Sequence, residues 1–241
     1  MREGPDLPNQ PPGAPSAAPE APAFPAAPAA PAQPATETDW PLPAPLRDPM
    51  PMLEQVRREW GGAAPLWVFG YASLIWRPEF DAIEQRTAHV HGWHRALQMS
   101  SRVNRGTPER PGLVFALVPG GSCRGMVYRV DPARADAGLT RLWFREMPTG
   151  VYDARWLPCR TPQGMVQALG FTLSRSSPNH TGPIGDEAMV TILRDATGRY
   201  GRTLDYLVET AVCLSRCGIR DREIERLVQL ARRHGLVHDI P

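Results

Sequence analysis

From residue 49 onward the apolar and polar positions follow two rhythms, and the rhythm changes along the chain. Residues 49–60 (PMPMLEQVRREW) place apolar side chains at helical spacing and stop at Gly61 and Gly62, which predicts a short amphipathic helix. After Pro65, the residues Trp67, Val68 and Phe69 make a short apolar run of strand formers that Gly70 ends. Strand-length runs at 86–100, 113–118 and 123–130 follow, punctuated by glycine and proline, including Pro119, Gly120 and Gly121. Asp131 and Pro132 supply an N-cap oxygen and a proline at the first helical position, so a helix is predicted to about Met147, where Pro148 stops it. Two more strand-like runs, 151–158 and 165–173, lead into 174–185 (SRSSPNHTGPIG), which is too rich in turn formers for anything but a loop. The last third reads as helices at 186–197, 203–217 and 221–234. The final one starts at Asp221 and ends with Arg232, Arg233 and His234 before Gly235, in keeping with the helix dipole.

The first 48 residues break this pattern. They hold 14 of the 28 prolines and, besides Phe24 and Trp40, almost no large apolar side chain. Such a segment cannot bury enough surface to offset its ordering entropy, so residues 1–48 are expected to form a disordered tail and residues 49–241 one folded domain. No continuous apolar stretch follows Arg2 as a secretory signal requires, and no run of about 18 apolar residues offers a membrane span. A cytoplasmic protein without a membrane partner is the expectation.

All 27 basic residues are arginine, which excludes Schiff-base and lysine-nucleophile chemistry. The tail carries a net charge of −4 and the remainder +6, a balance suited to a small anionic substrate. No compact basic run with interleaved aromatics points to nucleic acid. Cys123, Cys159, Cys213 and Cys217 lack metal-ligand spacing and read as reduced, mostly buried thiols.

Several polar residues stand where chemistry is conceivable. Alternation puts His89 and His91 on one strand face and His94 on the other, but zinc needs a third ligand that the neighbourhood lacks, so structural histidines are favoured and no metal is expected. Arg102, Arg105 and Arg110 sit on a Gly/Pro-rich loop, as partners for a substrate carboxylate or as solvated surface charges. Asn179, His180 and Thr181 either line a pocket or make turns. After Phe69, the Gly70 turn is either a buried edge strand leaving its sheet or an anion-binding concavity of freed N–H groups, to which Tyr71 and Ser73 add hydroxyls. Glu146 lies seven, four and three residues beyond Leu139, Leu142 and Trp143, which places its carboxylate on the buried side of a helix. Burial and the negative helix end both oppose ionisation, so a raised pKa is expected, as a proton shuttle needs. A structural pair with Arg145 or Arg155 is the equal alternative.

VFGYASLIW, residues 68–76, resembles the signature of the ChaC-like gamma-glutamylcyclotransferases. RGMVYRV and then FREMPTGVY resemble the next two blocks of that family, and the HTGPIG loop and TLDYL helix extend the similarity over about residues 66–233. The resemblance implies an α+β fold, a gamma-glutamylcyclotransferase-like small mixed β-barrel flanked by helices. It also implies a small-molecule substrate, glutathione, cleaved to 5-oxoproline and Cys-Gly without a cofactor. By position it implies a substrate loop of Gly70, Tyr71, Ala72, Ser73, Leu74 and Ile75, with Glu146 as the catalytic carboxylate. The chain departs from the family where Ala72 replaces the usual glycine. If that position needs a positive φ or close approach to substrate, alanine strains or narrows the loop, which bears on substrate range. The alternatives are a cyclotransferase for other gamma-glutamyl peptides or amines, a non-catalytic gamma-glutamyl-binding module, and a zinc protein built on His89 and His91.

Overall fold

A computed structural model describes residues 44–78 and 80–238. Residues 1–43 of the expected tail therefore lie outside the described residues. The elements run α1 (Met50–Trp60), β1 (Trp67–Gly70), α2 (Ser73–Trp76), β2 (Ala82–Ser101), β3 (Gly112–Val130), a 3₁₀ turn (Pro132–Arg134), α3 (Ala135–Glu146), β4 (Asp153–Thr161) and β5 (Gly164–Thr172). The chain continues through α4 (Asp186–Asp195), a two-stranded ribbon of β6 (Thr197–Gly198) and β7 (Gly201–Arg202), α5 (Thr203–Arg216) and α6 (Arg222–Arg233).

Five strands close a barrel in the order β1-β3-β2-β4-β5, with β1 lying parallel to β5 at the seam. The frame is the hairpin of β2 and β3, whose antiparallel pairing runs from Ala82↔Val130 to Ser101↔Gly112. The two runs predicted at 113–118 and 123–130 are thus one strand, not two. Pro119 faces Trp93 beside a register shift between His91 and Trp93, so the missing proline N–H falls at an irregularity that the ladder already contains. The short α2 and the β6–β7 ribbon have no period long enough to read from sequence.

Closure buries both inward faces at once. Val68, Phe69, Val90, Leu117, Val127 and Leu169 are fully or almost fully buried, each such side chain contributing about 1.5–3 kcal/mol over its exposed state. Helix α3 caps one end: Trp143 is buried, its ring 5.9 Å from Phe171 of β5, and its indole N–H donates to the Pro49 carbonyl at 3.1 Å. The last residues before α1 lie against the body. Leu46 N–H donates to the Thr149 carbonyl at 2.8 Å, and Arg47 bonds the Gly150 and Tyr152 carbonyls and the Asp153 carboxylate. Among the described residues no helix is long and apolar enough to cross a membrane.

Candidate active site

The anchor strand β1 is short because it ends in a close approach. Gly70 leaves the barrel where a side chain would meet Tyr128 Cε2 at 3.1 Å and Leu74 Cβ at 3.2 Å. Opposite it, a Cβ on Gly125 would come within 2.4 Å of the Gly70 carbonyl oxygen. Two glycines on neighbouring strands let the chain turn hard against β3, and α2 forms at once from Ser73. The Ile75 N–H returns to the Ala72 carbonyl at 2.8 Å, and the Tyr128 hydroxyl donates to the Ile75 carbonyl at 3.1 Å. Tyr71, Ala72, Ser73 and Leu74 consequently face a cavity, while Gly70 serves the turn itself and Ile75 packs in the core. Ala72 has φ −145°, outside the left-handed region, so alanine carries no penalty of that kind here. What it adds is a methyl group on the cavity wall.

Glu146 ends α3 on the same cavity, with its side chain 14% exposed. Helical geometry and barrel closure together bring this carboxylate to a loop seventy residues earlier in the chain. Arg145 accompanies it. Its Nε lies 3.0 Å from Glu146 Oε1, its Nη2 donates to Ser73 Oγ at 3.3 Å, and its Nη1 donates to the Arg77 carbonyl. The Arg145 pair foreseen as an alternative therefore exists, and it ties the carboxylate to the loop. Arg155 is elsewhere, 3.9 Å from Asp153 and over the Trp93 ring.

Phe115, Tyr152, Phe171 and Tyr206 complete the wall. Burial pushes the Tyr71 and Tyr152 phenols well above their ordinary values, and the negative charge of Glu146 adds to both shifts. Burial also pushes Tyr206 up to about 12, with Arg105 opposing and Glu146 assisting. At neutral pH all three remain protonated, so the carboxylate faces a wall that can donate O–H groups. The cavity is narrow, about 20 Å³, room for about one water. A larger groove of about 460 Å³ runs between α5 and α6 past Leu214, Ile219 and Val228, but none of the residues singled out for chemistry lines it. The smaller cavity is the candidate site because the chemistry converges there.

Other candidates are dispersed. Arg105 is buried behind the wall, its guanidinium 5.0 Å from the Tyr206 ring centre and donating to the Tyr200 carbonyl at 2.6 Å, whereas Arg102 and Arg110 are exposed. The 174–185 loop docks along β2, with Ser100 N–H on the Asn179 carbonyl and Thr181 N–H on the Gln98 carbonyl. His180 lies 3.2 Å from Gln98 Oε1. His89 and His91 do share a face, with ring centres 4.2 Å apart. Among the described residues no three His, Cys, Asp or Glu side chains are grouped as a metal site requires. Tyr152 and Tyr206 carry no signal in hydrophobic periodicity, which cannot tell an aromatic cavity wall from an aromatic core.

Three comparisons with known proteins bear on this site. The family described as ChaC-like protein matches residues 66–234. The chain is 32% identical over 165 residues to the glutathione-specific gamma-glutamylcyclotransferase of Escherichia coli (strain K12), covering 68% of this chain and 71% of that protein. It is 30% identical over 181 residues to the Homo sapiens glutathione-specific gamma-glutamylcyclotransferase 1, covering 73% and 81%. A crystal structure of the yeast gamma-glutamyl cyclotransferase specific to glutathione superposes with a TM-score of 0.64 at 20% identity, covering 71% of this chain and 97% of that one, a likeness of fold. Since the match takes in the loop, the Glu146 helix and the phenolic wall together, the chain belongs to the ChaC-like family.

Proposed function

We propose that this protein, a cyclotransferase and hence a lyase, cleaves glutathione to 5-oxoproline and Cys-Gly, with Glu146 carrying the proton. The observation behind this reading is the convergence of one carboxylate and the Tyr71–Leu74 loop on a single cavity. The substrate's own α-amine attacks its γ-carbonyl carbon, a C–N bond closes the five-membered lactam, and the bond to the cysteine nitrogen breaks. Because the nucleophile is part of the substrate, no Ser-His or Cys-His set is required. An α-amine titrates near pH ~8 and is mostly protonated at neutral pH, so a base must take its proton. Glu146 takes it and returns it to the leaving nitrogen. The loop N–H groups and the protonated phenols hold the negative charge of the substrate carboxylate or of the developing oxyanion. Four free cysteines suit the reducing cytoplasm, where we place the protein.

A second reading, turnover of other gamma-glutamyl peptides or amines, is favoured by the Ala72 methyl on an already narrow wall. Incubation with glutathione and with free gamma-glutamyl amino acids, followed by a 5-oxoproline assay, separates the readings. Release from glutathione alone is the expected result. Release only from other gamma-glutamyl compounds supports the second reading, and binding without release from any of them leaves a non-catalytic module.

A further inference from the structure

Arg95 stands in the middle of β2, opposite Leu117 of β3, with its side chain 0% exposed. A guanidinium tolerates such a position only when its charge is paired and its N–H groups are spent on acceptors. Its Nε donates to the Tyr71 carbonyl, its Nη1 to the Asp221 carboxylate, and its Nη2 to the Arg124 carbonyl at 2.5 Å. Asp221 uses its other oxygen to cap α6, accepting from the Glu223 and Ile224 N–H groups at 3.1 Å each. One carboxylate thus holds the start of α6, the arginine and, through the arginine, the first cavity residue of the loop.

The direction of the Tyr71 bond gives this strut its meaning. A trans peptide points its C=O and N–H in opposite directions, and the described residues contain no cis peptide. With the Tyr71 carbonyl drawn to Arg95, the Ala72 N–H is turned the other way, and Ala72 belongs to the cavity wall. A cation on the carbonyl side also polarises the peptide unit and strengthens its N–H as a donor. We infer that Arg95, held by Asp221, is a positioning residue that aims and polarises the Ala72 N–H toward the negative charge of a bound gamma-glutamyl group, an inference that rests on the activity proposed above.

Two variants test it. Arg95→Lys keeps a cation beside Asp221 but cannot span three acceptors from one nitrogen. Arg95→Met combined with Asp221→Asn removes both charges together, so neither is left buried alone, and asparagine still caps α6. For the wild type and both variants, kcat and KM on glutathione are normalised to the folded fraction, and the Ala72 amide proton is followed by NMR. The expected result is an upfield move of the Ala72 amide in both variants, with kcat/KM lowered at least about tenfold, because removing a single charge-stabilising donor costs about 10²–10³ and this change only weakens one. A purely structural strut would lower the melting temperature yet leave the Ala72 amide or the turnover per folded molecule unchanged, and either of those outcomes overturns the inference. If the wild type makes no 5-oxoproline from any gamma-glutamyl compound, it is the proposed activity that fails. The strut is then judged by whether added glutathione shifts the Ala72 amide in the wild type and not in the double variant.

Discussion

Glu146 and the His89–His91 pair stand out in the sequence for the same kind of reason, a polar side chain at a telling phase of a repeating pattern. The barrel treats them differently. Glu146 is carried inward onto a cavity, where Arg145 lies 3.0 Å away and three buried phenols and the turn after β1 surround it. His89 and His91 are carried outward on β2, with His91 exposed and Arg124 and Arg160 directly across from His89 in the neighbouring strands. Burial, then His91 and the two arginines, hold the His89 imidazole below its ordinary value. Those guanidinium groups would also repel an incoming metal cation. The lesson is that phase tells which face a residue occupies, whereas chemistry depends on what that face meets.

The sharpest way to break the comparison is Glu146→Gln. General acid–base steps are worth about 10²–10⁴ in rate, and the proposed mechanism gives one residue two of them, so kcat should fall by at least that range with KM changed only a few fold. Arg145 keeps its bonds to Ser73 and the Arg77 carbonyl, so the melting temperature should stay close to wild type. Parallel kinetics and thermal denaturation read the two effects. An early-melting variant with normal turnover per folded molecule would reduce Glu146 to the structural pair.

A smaller effect is expected at Ala72→Gly, which tests the loop side of the same cavity. Because φ is not positive there, the substitution relieves no left-handed strain; it removes the methyl and loosens the backbone, and turnover on glutathione should stay equal or rise by no more than about tenfold. A shift in the ratio between glutathione and other gamma-glutamyl substrates would assign the alanine to substrate choice. A marked fall for every substrate would mean that the methyl supports the loop and does not narrow it.

The smallest effect belongs to the histidines. His89→Ala combined with His91→Ala should leave turnover within about twofold, and wild-type activity should persist in a chelator. Stability carries the signature instead. The folded pKa of His89 lies below its unfolded value of 6.5, so on acidification the unfolded chain takes up the proton first. His89 therefore lowers stability as pH falls through that value, and the double variant should lose less melting temperature than wild type between about pH 7 and pH 5.5. Loss of activity in chelator, restored by zinc, would overturn this half of the comparison.

Much of the architecture is written in local pattern. The helix starts at Met50 and Arg222 and the ends of α3 and α5 fall within a few residues of where periodicity, proline and capping residues put them, because each depends on side chains only a turn away. The continuity of β3 is not local. Whether Pro119, Gly120 and Gly121 end a strand or ride over an irregularity depends on what β2 offers at Trp93, a partner some twenty-six residues earlier that no short window of sequence contains.

The site divides along the same line. Sequence by itself determined that Glu146 sits on the inner side of its helix, that the chain turns at Gly70, and that no lysine can act, because spacing and composition decide those things. Tertiary structure alone decided that the helix end and the turn share one cavity, that Tyr152 and Tyr206 wall it, that Arg145 rather than Arg155 meets the carboxylate, and that a buried Arg95 reaches from Asp221 to the Tyr71 carbonyl. Each of these joins residues from distant parts of the chain. Their distance from one another is set by barrel closure, and closure is the outcome of burying the inner faces of five strands at once.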